Sequence, residues 1–315
     1  MTSRFLRTRS ALHPNPCAAG LLTRRAQGHD RRRGHPRTRR VGSKTRRGER
    51  PAAHSELAVV AAALLIALSG AALALAADPA PPADEFKPFV FILAGDPELG
   101  KPDDKSTADR FALLPKRASA IKASLVVIPG DMTHDDTDAQ WKLIDDTLKQ
   151  FTMPVKMVPG NHDKSESFAK HVGEDHFVFT LNNCDFVCLN SNLVGGSSGK
   201  STKAKAQMEW FEKTLKDSRE HNRTHTFVVM HHPVANDEPI RGLLVKYGVK
   251  VVLAGHLHKT QEIRGKGFVT YVSPGTARFR DEGGLGYRVF KVYKDRIEQE
   301  FVPLEKEVAA VKLAP

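Results

Sequence analysis

Two histidines, one residue apart, follow a short apolar run in the sequence. Val251 to Ala254 predict a buried strand, Gly255 permits a sharp exit, and His256 and His258 follow in the string GHLH. Alternate residues of an extended chain point to one side, so both imidazoles can face one site. Two histidines in a loop are also frequently solvated side chains. Taken alone, the pair leaves metal binding and a solvated loop both open.

The chain places polar residues directly after an apolar run at five points, which read GDPE, GDMTH, GNHD, MHHP and GHLH. Ligands bind outside the carboxyl ends of strands in open α/β sheets, so we expect these side chains to gather at one edge. Carboxylates, an amide oxygen and imidazoles suit divalent metals such as Zn, Mn or Fe. The candidates are Asp96, Glu98, Asp131, Asn161, His162, Asp163, His231, His256 and His258.

The elements that would position these residues alternate between strands and helices. Phe86 to Asp96 and Ala123 to Asp131 are apolar runs that end in Gly-Asp and predict strands. The segment between them offers Ser106 or Thr107 as a helix N-cap, and Pro115 should kink or divide that helix. Helical spacing recurs in DAQWKLIDDTLKQF and KAKAQMEWFEKTLKDSREH, and the C-terminal segments GFVTYVSPGTA and YRVFKVYKDRIEQEFVPL predict strands. The pattern predicts an α/β fold built on βαβ units.

The segment HFVFTLNNCDFVCLNSN predicts a hairpin that turns at Asn182 and Asn183. Its two cysteines, Cys184 and Cys188, would lie about 13 Å apart in an extended strand, beyond disulfide reach. The CxxxC spacing is also poor for zinc. Both cysteines are therefore expected to be small buried side chains.

The five motifs, in this order, resemble the calcineurin-like (dinuclear) metallophosphoesterases over roughly Pro88 to Pro303. GNHD followed by GHLH is the most specific part of the resemblance. It implies an α/β/β/α fold, in which a two-sheet sandwich is flanked by helices, and two metal ions bridged by Asp131. By the same resemblance, one ion would be completed by Asp96 and His258, and the other by Asn161, His231 and His256.

The first motif departs from the family pattern, which usually reads Asp-x-His. Here it reads DPE, so Glu98 stands at the ligand position. FILAGDPELG is similar to a subgroup, the calcineurin-like phosphoesterase domain-containing protein phosphatases, whose first motif reads ADPQ. Glu98 would bind its metal directly or through water, and a carboxylate in place of imidazole would favour Mn or Fe over Zn.

The resemblance implies a phosphoesterase that uses a metal-bridging hydroxide. His162 would act on the leaving oxygen as general acid or charge stabiliser, with Asp163 holding its ring orientation. Arg278 and Arg280 would bind the substrate phosphate or lie in a solvated charged loop. Hydrolysis of phosphate monoesters, from a phosphorylated small molecule or protein, is the leading reaction. A phosphodiesterase and a catalytically silent metal- and phospholigand-binding protein are the alternatives.

The net charge of +12 resides almost entirely at the N-terminus. Residues 1–50 carry 15 Lys and Arg against 2 acidic residues, so the remainder sums to about −1. No nucleic-acid partner is therefore expected for the folded domain. Residues 1–56 are interpreted as a disordered basic leader or an over-extended start.

The uncharged segment 57–77 is expected to be a signal-peptide core, with the membrane anchor as the alternative. Small residues dominate its end, and ALA at Ala74 to Ala76 resembles a cleavage site. A Pro-rich spacer at 78–86 would lead into a metallophosphoesterase domain at 87–303 and a tail at 304–315. This organisation predicts an exported protein, periplasmic or extracellular, that contacts a membrane only if segment 57–77 is retained, with the catalytic domain outside.

Overall fold

The structure, a computed structural model, describes residues 86–194, 198–278 and 284–313. The expected leader, the apolar segment 57–77, residues 78–85 of the spacer, and Arg280 lie outside the described residues. Within the described ranges, no helix is long and apolar enough to cross a membrane.

Strands and helices alternate along most of the described chain. The strands are β1 (Phe89–Leu93), β2 (Leu125–Ile128), β3 (Val155–Met157), β4 (Phe177–Leu181), β5 (Cys184–Cys188), β6 (His225–Val229), β7 (Val251–Ala254), β8 (Gln261–Arg264), β9 (Val269–Val272), β10 (Gly286–Val292) and β11 (Ile297–Pro303). The helices are α1 (Thr107–Phe111), α2 (Leu113–Ala120), α3 (Asp138–Leu148), α4 (Ser165–His171), α5 (Thr202–Glu220) and α6 (Ile240–Tyr247). Short 3-10 turns cover Ser191–Leu193 and Ser198–Lys200.

The strands form two sheets, with orders β11-β10-β1-β2-β3 and β4-β5-β6-β7-β9-β8. In the first sheet β1, β2 and β3 run parallel, and β10 and β11 join antiparallel. In the second, β5, β6, β7 and β9 run parallel between the antiparallel edge strands β4 and β8. The polar motifs follow the carboxyl ends of β1, β2, β3, β6 and β7, which are the parallel strands expected to carry a site.

The side chains of β1 show how the layers are stacked. Phe89, Phe91 and Leu93 face the second sheet, whereas Val90 and Ile92 face α1 to α4. Between the sheets, the Phe91 ring stacks on Phe290 with centroids 4.6 Å apart and meets a ring of the second sheet edge-on. The outer face of the second sheet packs on α5 and α6. The predicted α/β/β/α sandwich is therefore confirmed.

Two local predictions have different outcomes. The chain reverses at Asn182 and Asn183 with φ of 47° and 58°, which confirms the hairpin and gives it the left-handed pair that a tight two-residue turn requires. The helix expected after Ser106 is divided, but at Ala112 rather than at Pro115. Pro115 lies in the first turn of α2, where a missing N–H removes no helical hydrogen bond.

The two cysteines of β5 are free and buried, as expected. Burial raises the pKa of the Cys184 thiol to about 12 and also raises that of Cys188. Both thiols therefore stay protonated and act as small apolar side chains.

Candidate metal centre

Five of the candidate ligands adopt a left-handed backbone conformation. The φ angles are 53° at Asp96, 39° at Glu98, 53° at Asp131, 71° at His256 and 51° at His258. Such values cost a non-glycine residue roughly 1 kcal/mol or more and persist only where the surrounding structure enforces them. Backbone bonds between neighbouring loops do so here, since the Glu98 amide donates to the Asp131 carbonyl at 2.9 Å. Strain concentrated in this way is typical of a functional site.

Two glycines allow these loops to approach each other. A Cβ on Gly160 would lie 2.0 Å from Oδ1 of Asp131, and one on Gly130, whose φ is 98°, would lie 2.4 Å from Nδ1 of His231. Both distances are far inside van der Waals contact. The glycines of GDMTH and GNHD are therefore needed for the loops to close around the site.

One group of donors, which we call the histidine half, consists of Asn161, His231 and His256 with Asp131. Oδ1 of Asn161 lies 3.0 Å from Nε2 of His231 and 3.0 Å from Nδ1 of His256. The two ring nitrogens are 3.2 Å apart, and Nε2 of His231 lies 3.3 Å from Oδ2 of Asp131. His231 donates from Nδ1 to the carbonyl of Pro129 at 2.8 Å, so Nε2 is the atom available to a ligand.

The second group, the carboxylate half, consists of Asp96, Glu98 and His258 with the same Asp131. Nε2 of His258 lies 3.3 Å from Oε1 of Glu98 and 3.7 Å from Oδ1 of Asp96. Ligand atoms of Asp96, Asp131 and His258 all lie within 4.8 Å of one another. The two histidines of GHLH are therefore divided between the halves: His256 joins one and His258 the other.

The donor set fits two cations. Asp96, Glu98 and Asp131 are all at most 2% exposed, and Oδ2 of Asp96 is buried without a hydrogen-bond partner among the described residues. An ionised carboxylate so deeply buried needs a positive partner. Burial raises the pKa of Asp96 to about 6 against the opposing charges of His231 and His258, so the charged form of this carboxylate is less favoured here than in water. Burial lowers the pKa of His231, but the Asp131 hydrogen bond and the Asp96 charge outweigh it and raise that pKa to about 9.

His162 lies beside both halves, and a ligand atom of its ring lies within 4.8 Å of ligand atoms of Glu98 and His134. Its amide donates to Oδ1 of Asp131 at 3.0 Å, and Nδ1 of its ring donates to the carbonyl of His134 at 2.6 Å. The rings of His134 and His162 also stack, with centroids 5.2 Å apart. A carbonyl accepts only, so Nε2 of His162, 3.8 Å from Oε1 of Glu98, is the atom available to a substrate.

Asp163 does not hold the ring of His162, and that prediction is wrong. Its carboxylate accepts from the backbone amides of Gly160 at 2.9 Å, Met132 at 3.1 Å and Thr133 at 3.3 Å. Burial raises its pKa to about 6. Asp163 therefore ties the loop after β3 to the loop after β2, while the His134 carbonyl orients the ring of His162.

Arg278 lies on the carboxylate of Glu98, in contact with Oε2 through its guanidinium. It was expected to bind substrate phosphate or to be solvated, and the structure places it in an ion pair with its side chain only 11% exposed. His134, for which the sequence suggested no role, bonds the same oxygen through Nδ1 at 3.2 Å. Its position three residues after Asp131 was the available signal.

His232 adjoins the histidine half, and a ligand atom of its ring lies within 4.8 Å of ligand atoms of His231 and His256. The Ser191 hydroxyl accepts from the amides of His231 at 3.2 Å and His232 at 2.9 Å, so its proton points to Nδ1 of His232, 3.0 Å away. The His232 ring is 4.4 Å from that of His256. Burial lowers the pKa of His232 to about 4, with the nearby imidazoles adding to the shift. No sequence signal pointed to Ser191.

Comparison with known proteins finds phosphoesterases similar to this chain. The family model described as calcineurin-like phosphoesterase matches residues 83–260. The human serine/threonine-protein phosphatase CPPED1 is 26% identical over 282 residues, covering 74% of this chain and 89% of that protein. A probable cyclic nucleotide phosphodiesterase of Vesicomyosocius okutanii is 26% identical over 193 residues, covering 56% and 81%.

Among solved structures, a dimetal phosphatase from Danio rerio superposes with a TM-score of 0.56. It is 16% identical, and the match covers 70% of this chain and 98% of that one. At this identity the likeness shows the fold alone.

Proposed function

The chain belongs to the calcineurin-like phosphoesterase family of hydrolases acting on phosphoric esters, and from this premise we propose that it hydrolyses phosphate monoesters. The observation that carries the proposal is that Asp131 lies within reach of both donor groups, grouped with Asp96 and His258 and 3.3 Å from Nε2 of His231, with the His162 ring fixed beside them. The substrate would be a phosphorylated small molecule or protein.

The histidine half and the carboxylate half would each hold one cation. Two bound cations supply an acidified water and positive charge for the phosphoryl oxygens. The softer nitrogen donors dominate the first half and the harder oxygen donors the second, so Mn, Fe and Zn are all candidates.

The residues of the chain supply position and a proton. The carbonyl of His134 keeps the proton on Nδ1 of His162, so Nε2 faces the leaving group. When the ring is also protonated at Nε2, that proton moves to the leaving oxygen as the ester bond breaks. The amide of His162 donates to Asp131, which ties this ring to the residue shared by both halves.

Extent of similarity supports a monoesterase over a diesterase. The match to a protein named as a phosphatase spans 74% of this chain, against 56% for the one named as a phosphodiesterase. The second name keeps phosphodiester hydrolysis as the alternative function, since both reactions use the same type of metal site.

Turnover of two chromogenic esters tests the choice. Purified protein reconstituted with Mn, Fe or Zn is assayed on p-nitrophenyl phosphate and bis-p-nitrophenyl phosphate, with His162→Ala as the inactive reference. The exposed His221, which bonds its own helix, provides the control variant His221→Ala. A higher kcat/KM on the monoester supports the proposal, and a higher value on the diester establishes the alternative. Tight cation binding without turnover of either ester would indicate a silent binding protein.

Export is proposed from the sequence of segment 57–77 alone. The mature chain would begin near Ala77 or Asp78 and act in a periplasmic or extracellular space. Mass spectrometry of the native protein tests this. A mature N-terminus near Asp78 supports cleavage, and retention of 57–77 in a membrane fraction would indicate an anchor.

A further inference from the structure

The two carboxylate oxygens of Glu98 face different groups. Oε1 points into the site, 3.3 Å from Nε2 of His258 and 3.8 Å from Nε2 of His162. Oε2 points away from it and is bonded by Nδ1 of His134 at 3.2 Å and by the guanidinium of Arg278. Glu98 is 1% exposed, so the surrounding protein groups, and not water, determine which way each oxygen points. One oxygen is left for a cation, and the other is held by the protein.

The segment that carries Arg278 is anchored to the rest of the fold. Arg110 donates from Nε to the carbonyl of Ala277 at 2.7 Å, and its guanidinium bonds Asp104. A Cβ on Gly275 would lie 2.3 Å from the carbonyl oxygen of Arg278 and 2.9 Å from Nδ1 of His258. The backbone of this segment therefore passes directly over a residue of the carboxylate half. This anchored backbone holds the side chain of Arg278 beside the carboxylate half.

Charge explains why such an arrangement is useful. Glu98 occupies the position where the family pattern has a neutral imidazole, and it brings an extra negative charge close to two other buried carboxylates. Repulsion between like charges is large in a buried site, and a carboxylate without a partner is costly there. A guanidinium on its outer oxygen cancels that charge without displacing the inner oxygen.

We propose that Arg278 is the counterion of Glu98 in the metal centre, so that the ion pair takes the place of one neutral ligand and Arg278 acts as a positioning residue rather than as a phosphate ligand. The inference concerns cation binding, so it holds whichever ester is hydrolysed. A Glu98–Arg278 ion pair adds no net charge to the site. The extra negative charge of Glu98 therefore no longer favours Mn or Fe over Zn.

A double-mutant cycle on cation binding tests the pairing. The unmodified protein, Glu98→Gln, Arg278→Gln and the double variant are stripped of metal and titrated with Mn²⁺ in a calorimeter. Glu98→Gln leaves the positive charge of the buried Arg278 cation without the Glu98 carboxylate that offsets it, and is expected to weaken one of the two sites at least about tenfold. Adding Arg278→Gln removes that cation and should restore the affinity to within about threefold of the unmodified protein. An unrescued or still weaker double variant would contradict the proposal.

Thermal unfolding of the four metal-free proteins gives a second readout, because the change in Tm caused by Arg278→Gln should have opposite signs with and without Glu98. Arg278→Gln should lower the Tm when Glu98 is present, because the buried carboxylate loses its guanidinium partner, and should raise it in the Glu98→Gln background. Arg278→Lys keeps the charge and should bind Mn²⁺ like the unmodified protein. Arg241→Gln, which breaks an exposed pair with Glu238, is the matched control and should leave cation affinity unchanged.

If Arg278→Gln changes the Tm in the same direction with Glu98 and with Glu98→Gln, the ion pair is rejected. It is also rejected if Arg278→Gln changes only the KM for phosphate esters and leaves cation affinity unchanged. If Arg278→Gln does not fold, the folding of the double variant still supports the pairing, and its failure to fold counts against it. Neither readout needs turnover, so absence of phosphatase activity would reject the proposed function and leave this inference standing.

Discussion

The histidine half and the carboxylate half of the metal centre share Asp131 but are built differently. In the histidine half, each donor atom lies 3.0–3.3 Å from its neighbours, and the donors come from short motifs at the ends of β2, β3, β6 and β7. In the carboxylate half, Nε2 of His258 lies 3.3 Å from Oε1 of Glu98 and 3.7 Å from Oδ1 of Asp96. The other oxygen of Glu98 is bonded by His134 and Arg278. One half is complete within its motifs, whereas the other also depends on Arg278, which lies outside them.

The difference has a physical origin in the ligand types. Asn161 and the two imidazoles of the histidine half would bind a cation as neutral donors, so Asp131 is the carboxylate that this half supplies. The carboxylate half places Asp96, Glu98 and Asp131 together, all buried, and needs further positive groups to hold them. A single change from imidazole to carboxylate in the first motif therefore requires a compensating residue elsewhere in the chain.

Removing the residue that both halves share should have the largest effect. Asp131→Ala is expected to abolish binding of both cations and to lower kcat at least about 10³-fold, because the charge between the two ions is lost. Elemental analysis and turnover of p-nitrophenyl phosphate measure the two effects. Retention of one full equivalent of metal would show that the halves bind independently of Asp131.

His162 separates catalysis from cation binding. His162→Ala should leave the metal content of both halves intact and lower kcat by about 10²-fold or more, since its ring serves the leaving group. The loss should be larger on phenyl phosphate than on p-nitrophenyl phosphate, because the poorer leaving group depends more on a proton donor. Loss of metal in this variant would mean that His162 is a ligand.

The sequence predicted the histidine half and the sandwich because both follow from strongly periodic local patterns. Strand ends in a parallel arrangement must meet at one edge, so apolar runs followed by Gly-Asp, Asn-His or Gly-His locate donors without knowledge of packing. The family resemblance then assigned Asn161, His231 and His256 to one ion. Left-handed backbone conformations at Asp131 and His256 are a local feature that places two donors of this half.

The rest of the site depends on contacts between distant segments. Arg278 reaches Glu98 across 180 residues of chain, and Asp163 bonds amides from the loop after β2 instead of the ring next to it. Neither partner can be read from spacing. The prediction that the first helix divides at Pro115 failed for a different reason: the break lies at Ala112, which leaves Pro115 in the first turn of α2, where its missing N–H removes no helical hydrogen bond.

Single substitutions in each half should weaken different ions. Glu98→Ala is expected to reduce the affinity of one ion by about 10–100-fold, and His256→Ala that of the other by a similar factor. Glu98→His combined with Arg278→Gln, which removes the charge that Glu98 offsets, should keep two ions and shift preference toward Zn, since imidazole is the softer ligand. Metal titration of the three variants at one pH measures this, because ligand protonation competes with binding. Unchanged affinity in Glu98→Ala would place Glu98 outside the ligand set.

The smallest effect is expected at His232, which touches the histidine half without completing it. Nδ1 of His232 accepts a hydrogen bond from the Ser191 hydroxyl. The donor atoms of Asn161, His231 and His256 already converge beside it. His232→Asn offers an oxygen in the place of Nδ1, so cation affinity and kcat should stay within about threefold. A larger loss of one ion would make His232 a ligand.

The same variant should change how stability depends on pH. The folded pKa of His232 is lowered to about 4 from an ordinary value of 6.5, so between these two values the unfolded chain binds the proton and the folded chain does not. The contribution of His232 to stability is therefore fully present above pH 6.5 and is lost as the pH falls toward 4. Denaturant unfolding of metal-free protein at pH 5 and pH 7 should show a smaller difference for His232→Asn than for the unmodified chain. An equal difference would mean that the folded ring takes up the proton as readily as the unfolded one, and that the positive groups of the histidine half do not act on it.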